Sequence, residues 1–202
     1  AEAETLASQG RNSRFLPDAP FPDHLSVTGE PELALKQSNL VIIAVPSDRL
    51  RENVQRIRPH LRAGAIVLSA TKGLELPTAR RMSQVLEDEL PAAFHEDICV
   101  LSGPNLAKEI VAGKAASTVI ASTNPDAAQK AQNALMSAVF RVYTSPDVLG
   151  VELAGALKNI VALGAGIGDG LDAGENAKAA FITRGLAEMT RLGIAAGADP
   201  LT

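Results

Sequence analysis

Lys72 and Lys158 are the side chains of this 202-residue chain whose settings best suit chemistry on a small oxygen-bearing ligand. Lys72 lies in Ser69-Ala-Thr-Lys-Gly73, directly after a predicted buried strand. It should therefore project near the carboxyl edge of a sheet, where open α/β folds bind ligands. Gly73 lets the turn form close to such a ligand. A lone lysine in this place is otherwise a solvated surface residue. A second predicted strand ends in Ser102-Gly-Pro-Asn105-Leu-Ala107, another glycine turn opening a helix at the same edge. Two such turns at neighbouring strand ends suggest a shared crevice, with helix N-terminal amides offered to an anion or a carbonyl oxygen. Lys158 belongs to Gly150-Val-Glu-Leu-Ala-Gly155-Ala-Leu-Lys-Asn159. On a helix it shares a small, apolar stripe with Val151, Ala154, Gly155, Val161 and Ala162. A lysine there either snorkels to solvent or is held where desolvation lowers its pKa, which suits proton transfer near neutral pH. Asn159 adds an amide that could orient a bound hydroxyl.

Other polar groups carry less. Asn176, Thr183 and Arg184 sit on a helix otherwise made of small residues; Arg184 offers a fork for phosphate or carboxylate, with a surface salt bridge as its default. His24, His60 and His95 lack partners at ligand spacing, so neither a metal site nor a histidine base is expected, and the single Cys99 excludes a disulfide framework. The glycine run from Gly164 to Gly170 invites comparison with the dinucleotide fingerprint. The third glycine of that pattern would fall on Asp169, and the preceding residues continue a helix rather than a strand. The run is expected to end a helix instead. Arg11–Pro22 is a proline-punctuated connector that either lies over a ligand or spans the surface.

The elements that must position these groups follow from periodicity. Strands are predicted at 40–45, 65–69, 98–101, 117–121 and 141–143, and helices at 49–57, 78–90 and 125–138, the last capped by Asn124 with Pro125 at its first position. After Pro146 no β-rich run appears. Two long helical patterns, roughly 147–166 and 175–197, take its place. The expected class is α/β: a Rossmann-like, mostly parallel sheet lacking its first strand over residues 1–146, followed by an incomplete all-helical part over 147–202. Nineteen Lys and Arg against twenty-three Asp and Glu give a net charge of −4, and aromatic content is 3%, so nothing draws a nucleic acid or an anionic membrane. No run of 18 apolar residues suggests a membrane span, and the first residues lack a signal-peptide layout, so the compartment is read as cytosolic. The chain opens on Ala1 rather than Met, which raises the expectation of a missing upstream segment.

With LPDAPFP, IIAVPS, SATKGLE, SGPNLAKEI and the block GVELAGALKNIVALGAGIGDGLDAGENAKAAFITRGLAEM in view, the chain resembles the bacterial type of NAD(P)-dependent glycerol-3-phosphate dehydrogenase over nearly its whole length. The resemblance implies interconversion of dihydroxyacetone phosphate and sn-glycerol 3-phosphate, the backbone precursor of phospholipids, with NAD or NADP as cofactor. It makes Lys158 the proton donor and acceptor for the C2 oxygen. Lys72 would contact cofactor and substrate, Gly103, Asn105 and Asn159 the substrate, and Ala107 and Phe15 the cofactor. The preference between NAD and NADP stays open, as does a homodimer. Two departures are expected to weaken ligand binding: the family's N-terminal strand with its glycine-rich fingerprint is absent, and so are the aspartate and Ser-Arg-Asn triplet that follow its second long helix. Competing readings are another β-hydroxyacid dehydrogenase, which also pairs a dinucleotide domain with a helical domain bearing Lys-Asn, and a non-catalytic binding module.

Overall fold

The computed structural model describes residues 2–202. In chain order the elements are α1 (Glu2–Gln9), α2 (Pro31–Leu35), β1 (Leu40–Ile43), α3 (Leu50–Ile57), β2 (Ile66–Ser69), the short pair β3 (Leu74–Glu75) and β4 (Arg80–Arg81), α4 (Met82–Glu89), β5 (Ile98–Ser102), α5 (Ala107–Val111), β6 (Ala116–Ala121), α6 (Pro125–Leu135), β7 (Phe140–Ser145), α7 (Val148–Gly170) and α8 (Glu175–Ala196). The main sheet has the order β1-β2-β5-β6-β7. All its neighbours are parallel except β5 and β6, which pair antiparallel with Ser102 opposite Val119. The mostly parallel α/β reading holds. The single reversal puts the carboxyl edge of β1, β2 and β5 beside the amino ends of β6 and β7.

Residues of β2 are buried on both faces, as the continuous apolar run predicts for a central strand. Val67 joins Val41, Ile43, Leu50, Val54, Met82, Val85 and Leu86 under α3 and α4. Ile66 and Leu68 join Cys99, Ile120, Ala127, Ala131 and Val142 under α6. Burial pushes the Cys99 thiol up to about 11, so it behaves as an apolar filler. The Asn124 cap is in place, its Oδ1 accepting from Asp126 N at 3.0 Å.

Four local expectations change. First, α4 starts at Met82 rather than 78, because residues 74–81 fold into the β3–β4 hairpin. Arg51 braces that hairpin to α4 through Glu75 (2.7 Å), Asp88 (3.1 Å) and Glu89 (2.5 Å), an ion network invisible to periodicity. Second, Pro31–Leu35 forms a short helix that was not foreseen. Third, α7 runs past the expected end at 166 and stops at Gly170, the last glycine of the run. Two close approaches account for small residues on these helices: a Cβ at Gly164 would meet the Phe181 ring, and one at Gly185 would lie 2.8 Å from Val161. Fourth, α7 is long and apolar enough, with a mean hydropathy of 1.5, to cross a membrane by length and composition. Its first turns pack on the sheet, with Val151 against Val100 and Ala121, and the rest runs along α8.

Candidate active site

Three chain segments converge at the carboxyl edge of β2 and β5. Thr71 ties the ends of β1 and β2 together, its Oγ1 donating to Val45 O at 2.9 Å and accepting from Val45 N at 3.3 Å. The turn is completed by Gly73 at a φ of 118°, a left-handed conformation suited to glycine. From this turn Lys72 Nζ donates to Gly103 O at 2.8 Å. Gly103 leaves β5 pressed against β6: a Cβ there would lie 2.7 Å from Ser117 O and 2.8 Å from Thr118 Cα, so no other residue fits without moving backbone.

The third segment is α7, whose course over β5 is set by one stripe. Val151 rests on Val100 and Ala121, Gly155 sits so close to Ser102 that a Cβ would displace the serine hydroxyl, and Lys158 Nζ donates to Gly103 O at 2.9 Å. These positions are i, i+4 and i+7, so one helical face descends onto the strand and delivers the amine at its end. The stripe read from the sequence is thus a packing face, and the two lysines share one acceptor. Each ammonium has three N–H donors and uses one on Gly103, leaving the others for a ligand. Burial, and then the neighbouring positive charge of Lys158, hold Lys72 below the usual lysine range.

Asn105 lies beside this pair. Its Nδ2 donates to Thr118 Oγ1 at 3.1 Å, and that hydroxyl spends its proton on Ser102 O at 3.0 Å. The arrangement fixes the amide orientation, since the hydroxyl has no second proton to give. Asn105 Oδ1 is then buried without a partner, the kind of orphan that a bound donor satisfies. A cavity of about 580 Å³ adjoins, bounded by Gly103, Lys158, Tyr143, Leu186, Met189 and Thr202 among others.

Of the residues singled out from the sequence, Lys72, Gly103, Asn105 and Lys158 therefore come together. The rest do not join them. Asn159 is exposed and makes no hydrogen bond. Ala107 is exposed at the start of α5. Phe15 is 57% exposed under the Arg14 guanidinium, 4.9 Å from its ring, within a surface turn closed by the Arg11–Pro20 bridge. Arg184 pairs with Glu188 at 2.6 Å, the surface salt bridge expected by default. Two contributors were missed. Thr118 orients Asn105 from the facing strand, and only the β5–β6 register reveals it. Glu152, on the same helix as Lys158, accepts from Arg81 Nη1 (2.6 Å), Ser83 Oγ (2.6 Å) and Ser83 N (2.8 Å). An acidic residue inside an otherwise apolar helical block was its available signal.

Residues 1–128 match the profile of the NAD-dependent glycerol-3-phosphate dehydrogenase N-terminus, and residues 147–202 match that of the C-terminus. A glycerol-3-phosphate dehydrogenase [NAD(P)+] from Dehalococcoides mccartyi is 52% identical over 202 residues, which are 100% of this chain and 56% of that protein. The chain therefore spans a little over half the length of the curated relatives it matches. The crystal structure of glycerol-3-phosphate dehydrogenase from Coxiella burnetii superposes with a TM-score of 0.88 at 36% identity, covering 98% of this chain and 59% of the other. The enzyme of that name from Saccharomyces cerevisiae gives 0.81 at 27% identity, covering 95% and 56%. Matched by the family's profiles at both ends and closely superposed on its solved structures, the chain belongs to the NAD-dependent glycerol-3-phosphate dehydrogenase family.

Proposed function

We propose that this chain carries the catalytic lysine pair of an oxidoreductase interconverting dihydroxyacetone phosphate and sn-glycerol 3-phosphate with NAD(H) or NADP(H). One observation carries the reading: two ammonium groups meet on Gly103 O, the oxygen that also accepts from Asn105 N at 3.1 Å, and the Asn105 side chain leaves Oδ1 without a partner. That donor and acceptor set fits a small polyol or ketone, whose hydroxyl can donate to Asn105 while its reacting oxygen receives the lysines. The exposed Phe15 and Ala107 are available to a dinucleotide, and Lys72 would touch both ligands. When bound, the reduced nicotinamide supplies the hydride.

The chain's own residues then manage charge and protons. A carbonyl carbon that gains hydride leaves negative charge on its oxygen. Lys158 donates a proton to that C2 oxygen, and in the reverse direction takes one from the hydroxyl. Lys72, on the same carbonyl oxygen, stabilises the developing charge. Asn105 holds a neighbouring hydroxyl, and Asn159, one residue on from Lys158, is the remaining candidate for substrate contact. In this reading residues 1–146 hold the cofactor and lend Lys72, Gly103 and Asn105 to the substrate, 147–202 form the rest of the substrate side with Lys158, and the enzyme works in the cytosol on a small-molecule partner.

The test is steady-state kinetics of the enzyme containing this sequence, with dihydroxyacetone phosphate and reduced cofactor. Lys158→Ala is expected to lower kcat by roughly 10²- to 10⁴-fold while cofactor affinity stays within a few-fold. Lys158→Arg keeps the charge but cannot release a proton at working pH, so it should also fail. An unchanged turnover number in Lys158→Ala would overturn the assignment, and normal activity in Lys158→Arg would reduce Lys158 to an electrostatic group.

A further inference from the structure

Lys158 is tethered at the cavity by Gly103, and the helix that carries it is tethered a second time elsewhere. Six residues earlier on α7, the Glu152 side chain is only 7% exposed and accepts three hydrogen bonds, all from the start of α4. The Ser83 N–H is one of the donors that a helix N-terminus leaves without an intrahelical partner, and a carboxylate placed there also meets the positive end of the helix dipole. Arg81 and Ser83 follow Lys72 in the chain through the β3–β4 hairpin. The same two segments, 72–83 and 148–170, are thus joined twice: through Glu152 at one end, and through the two lysines on Gly103 O at the other.

Six helical residues separate the anchors on α7 by about 9 Å along the axis and roughly 240° around it. The contact of Val151 and Gly155 with β5 holds the helix against the strand but includes no directional bond to fix its rotation and height. Two anchors at different heights and on different faces fix both motions. We propose that Glu152 is a positioning residue for Lys158, setting the rotation and height of α7 so that the lysine amine meets Lys72 at Gly103. The proposal rests on the reading of Lys158 as the proton-transfer group. It assigns Glu152 no contact with substrate, and what the residue supplies is acceptor geometry rather than net charge. Glutamine can keep the oxygen that Arg81 Nη1 and Ser83 Oγ share, but its amide then faces the Ser83 N–H, so it should hold the anchor only in part.

Two measurements test it. In the active enzyme, Glu152→Leu should lower kcat by about a hundredfold, the cost of a misplaced catalytic group, with KM for the cofactor little changed and Glu152→Gln falling between Leu and the parent. In the present chain, heteronuclear NMR of the lysine amines reads the pair without turnover. Burial and the neighbouring Lys158 charge hold Lys72 below the usual lysine range. Glu152→Leu should move its titration toward the ordinary value, and Glu152→Gln should move it less. Should Glu152→Leu not fold, the double variant Arg81→Met with Ser83→Ala removes two of the three donors and carries the same expectation. Unchanged kcat in Glu152→Leu, equal damage from Leu and Gln, or lost activity with the Lys72 titration unmoved would each overturn the proposal. If Lys158→Ala keeps full turnover, the functional reading fails instead, and the NMR titration still decides whether Glu152 sets the lysine pair.

Discussion

Lys72 bears the electrostatic cost of the site. Its ammonium is partly desolvated and faces the positive charge of Lys158, and both effects disfavour the protonated form in the folded chain. Its folded pKa therefore lies below the unfolded value, so at neutral pH the charged lysine opposes folding. As pH rises from the folded pKa toward the ordinary value of about 10.5, the unfolded chain holds more protons than the folded one, and stability gains. Lys72→Met should consequently raise Tm at neutral pH, and the advantage should shrink as pH approaches about 10. The gain is small, since Lys72 is exposed along much of its length and solvent screens its charge. The same substitution should cut kcat by about a hundredfold or more, because one of the two groups facing the developing charge is gone. Thermal melts at two pH values alongside kinetics check both; a lower Tm at neutral pH would show that Lys72 stabilises the fold.

At the scale of elements, the fit of α7 onto β5 decides where Lys158 points. Gly155 is the closest approach: a Cβ built there runs into Ser102 Oγ and lies 3.3 Å from Ser102 Cβ. The serine hydroxyl can rotate away from a single methyl, so Gly155→Ala should be tolerated. A branched side chain has no such escape, and Gly155→Val should destabilise by about 1–3 kcal/mol through overpacking and lift the helix from the strand. Activity should fall further than stability alone explains, since a shift of about 1 Å at the amine can cost a hundredfold. Urea unfolding of the two variants, set against their kcat values, measures the comparison; a harmless Gly155→Val would mean that the helix does not rest on this contact.

Across the whole molecule, burial is uneven. The sheet is packed on both faces, whereas α7 and α8 pack on one another and leave Ile160, Leu163, Ile167, Leu171 and Leu192 more than half exposed. Contiguous apolar surface of this kind drives association or dye binding. The chain studied alone should bind a hydrophobic dye and show a mass that grows with concentration in light scattering. Replacing Leu163 and Ile167 by lysine should suppress both without altering the sheet, as judged by circular dichroism. A concentration-independent monomer with no dye binding would show that these side chains pack away in solution.

What the sequence settled by itself was whatever depends on local order: strands as apolar runs, the α6 cap at Asn124, the stripe Val151–Gly155–Lys158, and glycine turns after two strands that marked one edge of a sheet. Each rests on backbone sterics or on helical and strand periods, which act within a few residues. The resemblance carried by SATKGLE and by the Gly150–Met189 block implied roles for Lys72 and Lys158, and the family assignment stands on matches at both ends of the chain. Tertiary structure decided what no period encodes. Pairing of β5 with β6 in antiparallel register brings Thr118 to Asn105 and leaves Oδ1 without a partner. Packing of α7 across β5 puts two ammonium groups on one carbonyl oxygen, 86 residues apart in number yet within hydrogen-bonding distance of the same atom. The ion pairs of Arg51 and Glu152 join segments 24 to 71 residues apart, and electrostatic partners at such separations are chosen by the fold rather than by neighbouring sequence.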